Sequence, residues 1–355
     1  MFNSYRNKKV LVTGHTGFKG SWLSIWLLQL GAKVVGYALD PASEKGNFVK
    51  SGLTDKMADY RHDIRDFNKL HEVVEKAKPD IIFHLAAQPL VLESFNEPLY
   101  TIQTNTIGTA NLLEAFRQSD SARVLISITT DKVYRNNEWD WGYRENDRLG
   151  GKDPYSGSKA AAEMIIRAYE HSFFNTNEKY IAAVRAGNVI GGGDWSANRI
   201  VPDCIKALEN DEQITIRNPY ATRPWQHVLE PLGGYLALGE KLLMSKKEYQ
   251  GAWNFGPFSS NVVPVERLVQ TIIAKYGNGQ YHIQPSDNVH KESSLLALDI
   301  SKAMNRLKWK PVLNFDETIE FTVNWYNGYR SDDVFDLCCK QIKEYERLWK
   351  LRNEN

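Results

Sequence analysis

Short apolar runs punctuate the first half of the chain at 9–13, 33–39, 80–85, 123–128 and 180–186. Longer stretches with apolar residues at helical spacing lie between them. This alternation predicts a parallel sheet covered by helices on both faces. The stretch from about Leu99 to Gln118 is predicted helical, with an apolar stripe through Ile102, Leu112, Leu113 and Phe116. A second predicted helix begins near Tyr155 and carries Ala160, Ala161, Met164 and Ile165. Together these two helices hold more apolar surface than one sheet can cover. Either a second copy of the chain or packing within one chain satisfies that surplus.

The texture changes after Val189. Gly191-Gly-Gly-Asp-Trp195 belongs to no regular element, and the residues beyond it mix short helices with Pro-, Asn- and aromatic-rich loops. Leu232–Leu243 reads as a helix that returns to the first lobe. The expected division is therefore residues 1–187 plus about 225–253 in one domain. A smaller lobe takes about 188–224 and 254–355. From Asp332 to Leu351, Phe335, Cys338, Ile342, Tyr345 and Trp349 recur at helical spacing, as in an amphipathic helix packed on its own protein.

The first apolar run leads into Gly14-His-Thr-Gly17-Phe-Lys-Gly20 and then an apolar helix. Gly14 permits a tight turn, Gly17 lets backbone amides approach a pyrophosphate, and Gly20 lets helix and strand pack closely. The amides and positive dipole end of the helix amino terminus receive the phosphates. Twenty residues after Gly20, the second run ends in Asp40. A carboxylate there accepts hydrogen bonds from an adenosine ribose and favours NAD over NADP. The fold class that follows is α/β: a Rossmann-like, doubly wound parallel sheet with a smaller, interleaved C-terminal substrate lobe.

Tyr155 and Lys159 stand four apart behind a well-marked helix start, with Asp153 as cap and Pro154 in the first position. They share one helix face, where a lysine ammonium is expected to lower the phenol pKa. Thr130-Asp131-Lys132 lies a short way upstream.

Composition narrows the function classes. The 355 residues carry 44 Lys and Arg against 43 Asp and Glu, a net charge of +1. That balance points to neither a nucleic-acid nor a membrane partner. No apolar run approaches the ~20 residues that span a bilayer, and the amino terminus shows no signal-peptide pattern. Cys204, Cys338 and Cys339 read as packed free thiols of a cytoplasmic protein, and no His, Cys and acid spacing matches a metal site.

The chain resembles the extended short-chain dehydrogenase/reductase family, specifically its nucleotide-sugar 4,6-dehydratases. The resemblance rests on the glycine loop, Asp63-Ile64, His84-Leu-Ala-Ala-Gln88, Asn105, Thr130-Asp131, Tyr155 with Lys159, and Arg185-Ala-Gly-Asn188. Within that family, Thr-Asp-Lys132, Gly-Gly-Gly-Asp-Trp195 and Arg223-Pro-Trp-Gln-His227 look like the members that act on CDP-glucose. The resemblance implies that NAD is held by Gly14, Thr16, Gly17, Phe18, Lys19, Gly20, Asp40, Asp63, Ile64, Leu85, Ala86, Ala87, Gln88, Thr104, Tyr155 and Lys159. It implies C4 oxidation with Tyr155 as base and Thr130 beside it. Elimination across C5 and C6 then uses Asp131 as acid and Lys132 as base, and hydride returns to C6. Asp131 then needs a raised pKa, and Lys132 must be neutral, which takes a drop of about three units from its ordinary value. In another reading Lys132 merely pairs with Asp131 or with substrate phosphate.

Asn188, Arg199, Arg217, Arg223 and His227 are the candidates for the substrate diphosphate. His84 reads as a structural histidine. His15 and Lys19 depart from the small or apolar residues common in relatives, with an effect on cofactor affinity of open sign. A homodimer or homotetramer is expected. A 4-epimerase or 4-keto reductase would need only Tyr155 and Lys159, and a non-catalytic NAD sensor would need neither.

Overall fold

The computed structural model describes residues 1–174, 178–284 and 296–353, so parts of both expected domains lie outside the described residues. Seven strands form the main sheet: β1 (Lys9–Thr13), β2 (Lys33–Ala38), β3 (Ala58–Arg61), β4 (Ile81–His84), β5 (Val124–Ile128), β6 (Tyr180–Arg185) and β7 (Gly251–Asn254). Their spatial order is β7-β6-β5-β4-β1-β2-β3, and every neighbouring pair is parallel. The five apolar runs match β1, β2, β4, β5 and β6. The two edge strands β3 and β7 carry no such signal, because β3 (Ala-Asp-Tyr-Arg) is partly exposed along its length and β7 is buried only at its end.

Side chains alternate between the two faces, as the pleat dictates. Val10, Val12, Ile81, Phe83, Val124 and Ile126 enter one core. Leu11, Ile82, Leu125, Ile181 and Ala183 enter the other. The first core packs against α1 (Phe18–Gln29), whose Trp22, Leu23, Ile25, Trp26 and Leu27 are all buried. The second packs against α2 (Phe67–Ala77), α3 (Gly108–Gln118) and α4 (Pro154–Tyr169).

The predicted Leu99–Gln118 helix is one helical rod with a π-turn at Gln103–Ile107 between Pro98–Ile102 and α3. A π-turn marks an inserted residue that re-aims side chains, often at a site. Here it turns Asn105 inward, where its amide donates to Gln88 O (3.1 Å) and Ser158 Oγ (2.9 Å).

Beyond β6 the chain forms α5 (Ile200–Glu209), α6 (Leu229–Leu243), α7 (Val265–Tyr276), α8 (Phe315–Gly328) and α9 (Val334–Asn353). The helix read at Leu232–Leu243 starts three residues earlier and packs on the first core, where Tyr5 donates to Leu236 O at 2.8 Å. Cys338, Ile342 and Tyr345 of α9 are fully buried, and Glu346 accepts a hydrogen bond from Trp26 Nε1 (2.9 Å). Cys204 and Cys338 are buried free thiols and Cys339 is half-buried. No helix of the described residues is long and apolar enough to cross a membrane.

Candidate active site

The order of strands reverses between β1 and β4, and an open α/β sheet binds ligands at the carboxyl ends of such strands. At that point β1 runs into the glycine loop. Gly14 has φ 75°, and a Cβ there would meet Ala86 N at 2.6 Å, so only glycine permits the loop to pass the end of β4. Helix α1 follows with Gly17 at its N-cap and no side-chain cap, so its first-turn amides face the mouth of the loop. That donor set fits a pyrophosphate. Phe18 packs beside Gly191.

Thr16 ties the loop to β2 through Leu39 O (3.0 Å), and Asp40, largely exposed, stands just beyond. His15 is buried; its Nε2 bonds Asp59 Oδ1 at 2.8 Å. Burial holds its pKa below the ordinary value, against the opposing pull of Asp59. Arg65 grips the Asp63 carboxylate and holds its pKa low, while Ile64 packs on Gly108. Leu85, Ala86 and Ala87 line the end of β4, half-buried. The Gln88 side chain is held by protein partners, accepting from Leu90 N (2.6 Å) and donating to Thr101 Oγ1 (2.8 Å) of the helix Pro98–Ile102. Thr104 lies in the π-turn with a buried hydroxyl that finds no partner among the described residues.

The second half of the site forms after β5. Thr130 caps the single turn Asp131–Val133 by accepting from Lys132 N (3.3 Å). Its hydroxyl donates to Asp131 Oδ1 at 2.9 Å, and a hydrogen bond joins it to Tyr155. Asp153 caps α4 by accepting from Ser156 N (2.9 Å), with Pro154 in the first turn, as the sequence predicts. Tyr155 and Lys159 lie buried one turn apart, and Lys159 Nζ donates to Ile128 O at 3.3 Å. Lys159 and Tyr155 thus converge on the end of β5.

Two expectations about charge fail here. The Tyr155 phenol is pushed up to about 12, not down, because burial outweighs its hydrogen bond with Thr130 and Asp131 adds a repelling charge. Burial also lowers Lys159 to about 8, with the nearby Glu163 charge opposing it. Lys132, expected to be desolvated, is exposed. The cleft lysine is instead Lys19, half-buried and lowered to about 8 by burial, Arg199 and Lys159, with Asp131 and Asp194 pulling the other way.

Residues 11–322 match the family described as GDP-mannose 4,6 dehydratase. The chain belongs to this family. It is 44% identical over 349 residues to the CDP-glucose 4,6-dehydratase of Salmonella typhimurium, covering 97% of each. It is 26% identical to a dTDP-glucose 4,6-dehydratase of Xanthomonas campestris, over 89% of this chain and 92% of that one. Among solved structures it is similar to an epimerase of Methanothermobacter thermautotrophicus (TM-score 0.79, 23% identity, 96% of each chain). It is also similar to a dTDP-glucose 4,6-dehydratase of Bacillus anthracis in complex with NAD (TM-score 0.74, 21% identity, 93% and 99% covered). At those identities the structures establish the fold.

The remaining candidates of this dehydratase-family chain divide by burial. Arg199 pairs with Asp194 (2.8 Å), and its charge reaches Tyr155 and Lys19. Asn188 sits half-buried with φ 49°, a left-handed conformation that asparagine tolerates. Arg223 is half-buried in the short strand Thr222–Pro224, and Arg217 is exposed. His227 departs from its expected role. It is fully buried between Trp22 and Phe321, with Nδ1 accepting from Leu229 N, so it serves the core and not a phosphate. His84 behaves as read, with both ring nitrogens bonded, to Thr13 (2.8 Å) and Thr109 (3.0 Å).

Sequence reading missed the pair beneath the site. Glu163 and Arg185 are buried against each other, and Glu163 also accepts from Thr129 Oγ1 (2.6 Å). Glu163 follows Lys159 by four, the same spacing that joined Lys159 to Tyr155, and that was the available signal.

Proposed function

We propose that this protein is a hydro-lyase that converts CDP-D-glucose to CDP-4-keto-6-deoxy-D-glucose with NAD as resident cofactor. The observation that carries the reading is a nearly full-length likeness to a CDP-glucose 4,6-dehydratase, together with a phenol, a hydroxyl and a carboxylate gathered beside the glycine loop. Bound NAD would supply the hydride acceptor for C4 and the hydride donor for C6, and its positive ring would favour the Tyr155 phenolate. The glycine loop from Gly14 to Gly20, Asp40, Asp63 and Lys159 would hold it.

The residues then divide the proton traffic. Tyr155 accepts the proton of the C4 hydroxyl, and Thr130 holds the same oxygen. The C4 ketone acidifies the C5 hydrogen, and Lys132, exposed in the free protein, removes it once the bound sugar covers and desolvates it. Asp131, buried at the same turn, gives a proton to the departing C6 hydroxyl. Arg199, Arg223 and Asn188 face the diphosphate, since guanidinium forks suit phosphate oxygens.

In this reading the enzyme works in the cytoplasm and feeds deoxysugar synthesis for a surface polysaccharide such as an O-antigen. It forms a homodimer or homotetramer. Exposed Leu99, Ile102, Ile107 and Met164 support the association, because they lie on two helical segments that pack together.

The test is turnover of CDP-, dTDP-, GDP- and UDP-glucose side by side, using sugar deuterated at C4. A 4-keto-6-deoxy product from the CDP sugar, with the label at C6, is the expected result. An epimer with the label still at C4 would overturn the assignment.

A further inference from the structure

The adenosine end of the glycine loop carries a charged arrangement that dehydration does not use. Arg61 ends β3, and its guanidinium is fixed on three sides. Nε and Nη2 donate to the two oxygens of Asp59, each at 2.7 Å. Asp59 in turn bonds the buried His15 of the loop at 2.8 Å. The guanidinium plane lies over the Phe48 ring, 4.8 Å from its centroid. Only the Nη1 corner is left loosely held, 3.4 Å from Leu39 O and 3.7 Å from an Asp40 oxygen.

Two consequences follow. Arg61 cannot swing away, because a bidentate fork and a ring face set its plane. Its loose corner is aimed at the carboxylate that ends the second strand, where a dinucleotide places its adenosine ribose. Asp59 already offsets the Arg61 charge, so Asp40 leaves this corner net negative. A ribose diol accepts that environment and a 2′-phosphate does not.

We propose that Arg61 is a cofactor-specificity residue: its Nη1 corner is a built ligand for a 2′-phosphate that Asp40 keeps closed to NADP. The inference rests on the reading of Asp40 as the ribose acceptor. It predicts that selectivity for NAD comes from one carboxylate placed over an otherwise NADP-competent arginine.

Direct titration of nucleotide-free protein with NAD+ and NADP+, by calorimetry, tests this without any turnover. The wild type binds NAD+ more tightly. Asp40→Ser weakens NAD+ and tightens NADP+ by at least about tenfold, the worth of one charge-assisted hydrogen bond. Adding Arg61→Met abolishes the NADP+ gain, and Arg61→Lys, which keeps a charge for Asp59 if the methionine variant fails to fold, removes most of it. An unchanged NADP+ affinity in Asp40→Ser, or a gain that survives loss of Arg61, overturns the role of Arg61. An Asp40→Ser variant with unaltered NAD+ affinity overturns the ribose reading beneath it.

Discussion

Gly187 lies so close to the Asp131 carboxylate that a Cβ on residue 187 would overlap Asp131 Oδ2. The strand end that follows β6 thus forms the wall that fixes the acid, and Asp131 N is held to Ala186 O at 3.4 Å on the same segment. Gly187→Ala must push the carboxylate off its Thr130 bond. The expected outcome is a fall in kcat of about 100-fold, within the usual worth of a positioned proton donor, with little change in Tm. Steady-state kinetics beside a thermal melt check it, and full activity would remove Asp131 from the elimination.

Lys132 and Lys19 offer a second comparison. Lys132 is exposed at the Asp131 turn, whereas Lys19 sits half-buried among Asp131, Asp194, Lys159 and Arg199. Lys132→Ala is expected to slow C5 proton removal by about 10²–10⁴-fold, while hydride transfer from C4 persists. Solvent deuterium incorporation at C5 reads the step. An unchanged rate in Lys132→Ala with a loss in Lys19→Met would move the base to the glycine loop.

Glu230 gives the fold a pH dependence of its own. It is buried, accepts from Val312 N (2.8 Å), Leu313 N (2.6 Å) and Tyr345 OH (2.8 Å), and burial lifts its pKa to about 7 against those bonds. A carboxyl raised above its unfolded value binds its proton more tightly in the folded state. Its contribution is fully present below about pH 4.5 and is lost as pH rises through 7, a change of roughly 3 kcal/mol. Calorimetric melts between pH 5 and 8 should therefore show the Tm of the wild type falling relative to that of Glu230→Gln as pH rises. Parallel trends in the two proteins would contradict this.

Leu99 and Met164 are 66% and 57% exposed on neighbouring helical segments, a large apolar cost for a lone chain in water. Leu99→Glu with Met164→Glu is expected to yield monomers in sedimentation velocity, and the wild type is expected to sediment as an oligomer. A wild type that is monomeric at micromolar concentration would refute the association.

The glycine loop, the Asp153 cap, the Tyr155–Lys159 pair and the five central strands were all legible before any coordinates. Each is a local statement: a spacing, a cap or an apolar run imposes its geometry on the next few residues. The edge strands β3 and β7 were not legible, because they hold their place by pairing with β2 and β6 more than by any pattern of their own.

What the sequence by itself determined, then, is the five central strands and the list of chemical groups the chain brings to one end of the sheet. Only the tertiary structure decided the state of those groups. It put His227 in the core and Lys132 in solvent, drew Lys19 into the cleft, and set the Glu163–Arg185 pair beneath Thr129. The physical reason is that a side chain's charge depends on burial and on neighbours far away in sequence, and both exist only once the helices have closed over the sheet.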